Sequence, residues 1–127
     1  LLFEESEEFG SSKGLSLIDG NVVKFNSDIK KKLIVPHVGW NKVLFRNKNY
    51  TSSVMKNNLN EDFMYFVHSY HVVPESLDIE LTSTEYQDKM YTSSILKENI
   101  TAFQFHPEKS GNAGMKIFNA IKAQVNN

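Results

Sequence analysis

Short apolar segments, separated by Gly, Pro and polar residues, follow one another along most of the chain. They predict strands at Leu15–Ile18, Val22–Phe25, Leu33–Pro36, Lys42–Phe45, Asp62–Val73, Leu77–Thr82, Lys89–Ile95 and Ile100–Phe105. Such segments are rich in β-branched and aromatic side chains, which suit a pleated strand. Turn-forming residues between them predict turns at Asp19–Asn21, His37–Asn41 and Glu85–Asp88.

Helical patterns lie at the two ends of the chain. Apolar residues recur at helical spacing over Gly111–Val125, and Ser110 is a suitable N-cap. The first ten residues end like a helix, because Gly10 stands where a helix C′ glycine is common. No capping residue and no Met precedes Leu1, so we expect the chain to be a fragment. We therefore predict a strand-rich α/β piece of one domain, residues 1–127, closed by a C-terminal helix.

Composition narrows the class of protein further. The 127 residues suit one domain, and a net charge of −1 gives no reason to expect binding to nucleic acid or an anionic membrane. No apolar run reaches the roughly 18 residues of a membrane span, and no signal peptide is present. The chain has no cysteine, which favours the cytoplasm and rules out a cysteine nucleophile within these residues. No cofactor is expected.

The segment from Phe103 to Ser110 carries the clearest candidate chemistry. It places His106 and Glu108 two residues apart, around Pro107. In an extended segment, residues i and i+2 share a face, so the carboxylate can bond one ring nitrogen and leave the other facing a reactant. This is a base with its orienting group, as in a nucleophilic triad, although a buried structural pair gives the same spacing.

Other candidates have weaker support. His68 and His71, with His37, could suggest zinc, but residues three apart on one strand point to opposite faces and no cysteine or acidic ligand accompanies them. We therefore expect no metal site. Trp40, the only tryptophan, fits either a core position or an anchor at a partner surface.

Taken together, these blocks resemble the glutaminase subunits of imidazole glycerol phosphate synthases, which are class I glutamine amidotransferases with a flavodoxin-like or Rossmann-like α/β domain. The matching segments, in the order of the family, are Leu1–Glu8, Lys13–Lys24, Pro36–Asn41, Tyr65–Tyr70 and Phe103–Ser110. The His-Pro-Glu block is typical of the whole class, and the Gly-Trp-Asn block is typical of this subunit. The chain would be the C-terminal part of a single amidotransferase domain.

The resemblance implies a triad whose cysteine lies upstream of Leu1, with His106 and Glu108 as the remaining members. The cysteine would attack the side-chain amide of glutamine, and His106 would move the protons while Glu108 holds the imidazole. Glu8 matches the position that grips the substrate's α-ammonium group, and the strand at Ser69 and Tyr70 meets its α-carboxylate. The chain alone would be inactive.

The resemblance also implies a partner, a cyclase with a (β/α)8 barrel that receives the ammonia in histidine biosynthesis. Trp40, Asn41, Tyr65 and Lys109 match interface positions, with Lys109 placed to pair with a partner carboxylate. Two alternatives remain open at this stage. A paralogous glutaminase could supply ammonia for amination of a surface-polysaccharide sugar, or the chain could be a non-catalytic module that binds the cyclase.

Overall fold

The computed structural model describes residues 3–6, 12–25, 36–46, 61–98 and 100–125. The strands in these segments are β1 (Phe3–Ser6), β2 (Ser12–Lys13), β3 (Ile18–Lys24), β4 (His37–Lys42), β5 (Leu44–Phe45), β6 (Phe63–His68), β7 (Tyr70–Pro74), β8 (Glu80–Tyr86), β9 (Lys89–Lys97) and β10 (Ile100–Phe103). The α-helix is α1 (Gly111–Val125), and 3-10 turns span Leu77–Ile79 and Pro107–Lys109. The chain is therefore strand-rich and carries a helix near its C-terminal end, as the sequence predicts.

Within the described segments, eight strands form one sheet in the order β2-β1-β3-β7-β9-β8-β5, with β10 also paired to β9. β1 and β3 are parallel, and the other pairings of this sheet are antiparallel. β8 pairs along one edge of β9, while β7 and β10 share the other edge. β9 is thus an interior strand, and its residues from Tyr91 to Ile95 are buried on both faces.

β4 and β6 form a separate two-stranded antiparallel ladder. Its register pairs His37 with His68 at one end and Lys42 with Phe63 at the other. Burial alternates along both strands, as expected for side chains that point to opposite faces. One face of the ladder therefore packs on the core and the other faces outward.

Among the described residues, the larger of two hydrophobic clusters joins the ladder, the β8–β9 hairpin and α1. Its buried members are Phe25, Val43, Met64, Phe66, Leu81, Tyr86, Tyr91, Phe105, Ile117 and Ala120. A smaller cluster of Phe3, Ile18 and Ile95 joins β1, β3 and β9 within the main sheet. Burying such side chains stabilises the fold by about 1.5–3 kcal/mol each. The larger cluster includes Phe105 and therefore holds the segment that follows β10 beside the ladder and α1.

The helix α1 has the predicted bounds but a narrower buried face than the sequence suggests. Ile117 and Ala120 are buried, and Ile121 is partly buried. Met115 and Phe118, which we placed on the apolar face, are 57% and 42% exposed. Successive helical residues turn by about 100°, so neither residue lies on the side of Ile117. The rest of the fold therefore covers only the side of α1 that carries Ile117 and Ala120, and apolar residues on other sides stay exposed.

Two predicted elements near the start of the chain are wrong. The predicted helical end contains strand β1, whose Phe3 is buried and pairs with Ile18 of β3. The edge of β3 supplies hydrogen-bond partners for an extended segment, and this pairing overrides the local helical signal. The predicted turn around Gly20 is part of one continuous strand. A Cβ at Gly20 would lie 2.4 Å from the Val73 carbonyl oxygen, so close strand approach explains this glycine.

Two further predictions fail because tertiary pairing overrides local signals. The predicted turn at residues 37–41 is strand β4, in which Gly39 adopts a φ of 138°. The predicted single strand at residues 62–73 divides at Ser69 into β6 and β7. These two strands pair with different neighbours, β4 and β3, so the chain passes from the ladder to the main sheet at Ser69.

Other predictions are confirmed or lie outside the described residues. The turn predicted at Glu85–Asp88 is present but shorter: Glu85 and Tyr86 belong to β8, and the turn consists of Gln87 and Asp88, at φ values of 49° and 67°. The strand predicted at residues 33–36 and Glu8 fall mainly or wholly outside the described segments. In the described part of the chain, no helix combines the length and apolar character that crossing a bilayer requires.

Candidate active site

The loop between β10 and α1 brings an imidazole and a carboxylate into direct contact. His106 Nδ1 and Glu108 Oε1 lie 2.7 Å apart, and 37% and 54% of the two side chains are exposed. Because a carboxylate accepts, Nδ1 carries the proton, and Nε2 is the basic nitrogen of a neutral ring. The predicted contact is present, and the pair can accept a proton at Nε2.

The contact forms in a tight turn and not in the extended segment that we predicted. His106 itself is extended, at φ −105° and ψ 95°, and Pro107 opens the 3-10 turn. The Lys109 N–H donates to the His106 carbonyl over 3.0 Å, which closes this turn. Proline suits the first position of a helical turn because its φ is fixed and its missing N–H is not needed there. The turn folds Glu108 back towards the ring.

Hydrogen bonding keeps Glu108 ionised. Its own backbone N–H and then His106 lower the pKa of the Glu108 carboxyl group. A carboxylate fixed on Nδ1 holds the ring in one tautomer and stabilises the imidazolium that forms when Nε2 takes a proton. The arrangement is thus suited to general acid–base catalysis.

Two hydrogen bonds attach this loop to the backbone of Tyr65 on β6, and a third joins two residues of the loop itself. The His106 N–H donates to the Tyr65 carbonyl over 3.0 Å, and the Tyr65 N–H donates to Ser110 Oγ over 3.0 Å. The Ser110 hydroxyl in turn donates to the His106 carbonyl over 2.6 Å. Ser110 does precede the helix as predicted, but its hydroxyl holds the loop and its carbonyl accepts from Gly114 over 3.3 Å.

The helix packs on the same loop at very short range. A Cβ added at Gly114 would lie 1.8 Å from the Pro107 carbonyl oxygen. Real Cβ atoms do not approach a carbonyl oxygen so closely, since interiors are close-packed. Gly114 therefore allows α1 to support the turn that carries His106 and Glu108.

Ser69 and Tyr70 lie where β6 passes into β7. The Phe25 N–H donates to the Ser69 carbonyl over 3.0 Å, and His68 Nδ1 donates to the Tyr70 carbonyl over 2.8 Å. Burial, as the largest cause, lowers the pKa of His68 to about 4, so this ring is neutral at pH 7. The backbone of this junction is thus fixed by two bonds.

A chain of buried polar groups leads from this junction to the ladder. Tyr91 Oη lies 3.1 Å from His68 Nε2 and 3.1 Å from His37 Nδ1. His37 Nε2 lies 2.7 Å from Asn41 Oδ1. Burial lowers the pKa of His37, an effect that Asn41 partly opposes, and burial raises the pKa of the Tyr91 hydroxyl. His37, His68 and Tyr91 are therefore uncharged at neutral pH.

The predicted interface residues divide between two faces of the ladder. Trp40 and Tyr65 are cross-strand partners on the outer face, with ring centroids 5.8 Å apart. Val38, Trp40, Phe63 and Val67 leave 39% to 53% of their surfaces exposed on the same face. Asn41 differs because its side chain bonds inward to His37 and donates to the Glu85 carbonyl.

A cleft of about 410 Å³ opens beside Trp40, between the ladder and the tip of the β8–β9 hairpin. Asn41, Glu85 and Asp88 contribute polar groups to its lining. Lys109 is exposed at the end of the 3-10 turn Pro107–Lys109, and this loop is attached to Tyr65. Exposed apolar patches of this kind mark interaction surfaces.

Among the residues that the structure describes, no group of three or more His, Cys, Asp or Glu could hold a metal ion. His68 and His71 belong to different strands, and their rings both pack against Phe25, with centroids 5.2 Å and 4.7 Å away. The premise of one strand carrying both histidines was therefore wrong.

Sequence reasoning missed the linked set of His37, His68 and Tyr91. The sequence predicts that these histidines are hydrogen-bonded strand residues at a surface or pocket, with zinc binding as the weaker alternative, and nothing in it singles out Tyr91. Three polar ring residues in otherwise apolar strands were the available signal, because buried polar groups require partners. Their pairing could not be read from spacing, since 23 and 54 residues separate Tyr91 from the two histidines.

Comparison with known proteins shows extensive similarity. The sequence profile of the family described as "Glutamine amidotransferase class-I" matches residues 6–123. A protein of Aquifex aeolicus named "Imidazole glycerol phosphate synthase subunit HisH" is 42% identical over 125 residues, which cover 98% of this chain and 56% of that protein.

Proteins of the same name show similar identity in two other organisms. The one from Methanocaldococcus jannaschii is 48% identical over 117 residues, covering 92% of this chain and 55% of that protein. The one from Thermotoga maritima is 44% identical over 121 residues, covering 95% and 52% respectively. The chain therefore spans about half the length of the curated relatives it matches.

Proposed function

Because this chain belongs to the class I glutamine amidotransferase family, we propose that its protein hydrolyses glutamine to glutamate and passes ammonia to a cyclase partner in histidine biosynthesis. The observation that carries the proposal is the 2.7 Å contact between His106 and Glu108 on a loop held at both ends. The name shared by its relatives supports the pathway. Enzymes of this metabolism act on free metabolites, and we place the protein in the cytoplasm.

In this proposal, residues 1–127 are the C-terminal part of one amidotransferase domain. The chain contains no cysteine, so the nucleophilic thiolate comes from outside these residues, and the chain alone releases no glutamate. The thiolate attacks the amide carbon of glutamine, and a tetrahedral oxyanion forms. Its collapse gives a thioester and ammonia, which leaves with a proton supplied by His106.

His106 acts in both halves of the reaction. Nε2 first gives its proton to the leaving amine and then accepts one from the water that attacks the thioester. Glu108 stays ionised and bonded to Nδ1, so the ring keeps the orientation and tautomer that both transfers need. Hydrolysis releases glutamate and regenerates the thiolate–imidazolium pair.

We propose that glutamine binds beside the β6–β7 junction. The backbone at Ser69 and Tyr70 meets its α-carboxylate, and Glu8 binds its α-ammonium group. The two bonds that fix the Ser69 and Tyr70 carbonyls support this role because a substrate contact needs a rigid backbone.

We propose that the cyclase, a (β/α)8 barrel, docks on the outer face of the ladder. Trp40 and Tyr65 supply aromatic anchors, and Lys109 pairs with a partner carboxylate. Asn41 lines the adjoining cleft. Trp40 lies in an exposed apolar patch with Val38, Phe63 and Val67. This patch supports the assignment, since aromatic residues are enriched in protein interfaces.

Substitution of the proposed base tests the function. In the protein that carries this chain, His106→Ala should lower glutaminase kcat by about 10²–10⁴-fold or more, because both proton transfers lose their carrier. Glu108→Gln should cause a smaller loss, while Glu75→Gln, which changes another exposed carboxylate, should have no effect. Glutamate release and urea unfolding are measured together. Normal turnover by a folded His106→Ala variant would defeat the proposal.

A further inference from the structure

A series of hydrogen-bonded side chains, His68, Tyr91 and His37, links the Tyr70 carbonyl to Asn41. This series contains one proton fewer than its contacts require. At the first end, His68 Nδ1 faces the Tyr70 carbonyl oxygen, which can only accept. This nitrogen must therefore donate. A neutral imidazole has one N–H, so His68 Nε2 is an acceptor and needs the hydroxyl proton of Tyr91.

The other end makes the same demand. Asn41 Nδ2 donates to the Glu85 carbonyl over 3.2 Å, which turns Asn41 Oδ1 towards His37 Nε2 at 2.7 Å. The amide oxygen can only accept, so His37 Nε2 must donate. His37 Nδ1 is then a second acceptor that needs the hydroxyl proton of Tyr91.

One hydroxyl thus serves two acceptors inside the core. Its oxygen is equidistant from them at 3.1 Å, while the two outer contacts are shorter, at 2.7 Å and 2.8 Å. Tyr91 is 5% exposed and His37 is fully buried. The histidine that does not receive this proton directs the lone pair of its ring nitrogen at a lone pair of the Tyr91 oxygen. Such a contact is unfavourable in a buried site.

We propose that Tyr91 is a positioning residue whose single hydroxyl proton is contested by His37 and His68, so that the orientation of Asn41 determines how firmly His68 holds the Tyr70 carbonyl. If Asn41 withdraws its oxygen, His37 can move its proton to Nδ1 and donate to Tyr91. The Tyr91 proton then belongs to His68 alone, and both contacts of the Tyr91 oxygen are satisfied.

This inference rests on the proposed function, which places Asn41 beside the partner and Tyr70 beside glutamine. A partner group that binds the Asn41 amide would thereby strengthen the hydrogen bond from His68 to the Tyr70 carbonyl, next to the proposed glutamine site. The cleft beside Trp40, to which Asn41 contributes, gives such a group access. The coupling needs no backbone movement, only a rotation of the Asn41 amide, a change of tautomer at His37 and a rotation of the Tyr91 hydroxyl.

The test follows the two ring nitrogens directly. In the protein labelled with ¹⁵N in histidine rings, Asn41→Leu should change His37 from the Nε2–H to the Nδ1–H tautomer. The His68 Nε2 resonance should then move upfield, because this nitrogen gains a full hydrogen bond. Asn41→Asp provides a second variant, since its carboxylate favours an imidazolium at His37 whose Nδ1–H has the same effect on Tyr91.

The transmission must depend on the Tyr91 hydroxyl. In the Tyr91→Phe background, the His68 resonance should not respond to Asn41→Leu or Asn41→Asp. Tyr86→Phe is the matched control: it removes a phenol hydroxyl from the same core cluster, and the response should persist. A His68 resonance that ignores both Asn41 variants, or that responds equally without the Tyr91 hydroxyl, would overturn the inference.

Kinetics separate this inference from the proposed function. Tyr91→Phe should raise KM for glutamine about 3–10-fold with kcat changed less than about twofold, because the loss is in substrate positioning. An unchanged KM in an active enzyme would overturn the positioning role. A protein without any glutaminase activity, but with the ¹⁵N response intact, would instead overturn the proposed function and leave the contested proton in place.

Discussion

His68 is an imidazole kept neutral inside the fold, and its chemistry makes stability depend on pH. Burial lowers its folded-state pKa to about 4, below the ordinary value of 6.5. The unfolded chain therefore binds more protons than the folded chain between these values. Stability is fully present above about pH 6.5 and is lost as pH falls towards 4. Burial of His37 acts in the same direction.

We expect the free energy of unfolding to fall by roughly 2–3 kcal/mol between pH 6.5 and 4 through His68 alone, at up to 1.36 kcal/mol per pH unit. Urea unfolding at several pH values measures this slope. His68→Gln keeps an amide donor but cannot titrate, so it should flatten the profile in this window. An equally steep profile in His68→Gln would show that the dependence arises elsewhere.

Gly111 and Gly114, both near the start of α1, have different surroundings, so substituting each with alanine gives a matched comparison. Gly114→Ala should destabilise the protein by about 1–3 kcal/mol or more, because the new methyl group meets the Pro107 carbonyl. It should also lower glutaminase activity by displacing the loop of His106 and Glu108. Urea unfolding and glutamate release give the two readouts.

Gly111→Ala is the control for this prediction. Gly111 has a φ of 60° but no atom within 4 Å of an added Cβ, so the substitution brings backbone strain without collision. Its cost should be about 1–2 kcal/mol, with activity retained. If both variants lose activity to the same degree, the Gly114 contact does not position the loop.

At the scale of elements, the two faces of the β4–β6 ladder differ in burial, so we expect substitutions on them to have different effects. Its inner face carries Phe66, which is fully buried, and its outer face carries Trp40, which is 52% exposed. Phe66→Ala should cost about 3–5 kcal/mol of stability. Trp40→Ala should cost much less stability but should weaken cyclase binding by about 2 kcal/mol or more.

Calorimetric titration with the cyclase and urea unfolding test this division. Lys109→Ala should weaken binding or coupling to the cyclase more than it changes KM for glutamine. Lys122→Ala removes an exposed charge of α1 outside the proposed interface and is the control. Unchanged dissociation constants for both Trp40→Ala and Lys109→Ala would contradict the interface assignment.

The elements that could be predicted from the sequence were those with local causes. The helix α1 was predicted with its correct bounds because its apolar spacing lies within one segment, and the Gln87–Asp88 turn was predicted for the same reason. Strand β4 and the division at Ser69 were not predicted. Their conformations depend on pairing with distant strands, which overrides the local turn signal of Gly39.

The candidate site shows the same limit. The contact between His106 and Glu108 could be predicted because two residues of sequence separate them. The attachment to Tyr65 and the Tyr91 network could not, because both join strands that are distant in the chain. The catalytic and interface roles of the named residues stay predictions.

At the scale of the whole molecule, the pathway is the remaining distinction within the family. The protein that carries this chain should restore growth to a histidine auxotroph that lacks its glutaminase subunit, without added histidine. The His106→Ala variant, expressed to the same level, should fail. Failure of the unsubstituted protein despite good expression would favour a paralogue that supplies ammonia for sugar amination.

The position of Trp40 has a practical consequence. It is the only indole in the chain, and it stands half in solvent on the outer face of the ladder. Within these 127 residues, tryptophan fluorescence therefore comes from that face alone, and its maximum reports the polarity there. A shift to shorter wavelength would follow the approach of another molecule in real time, without any attached dye.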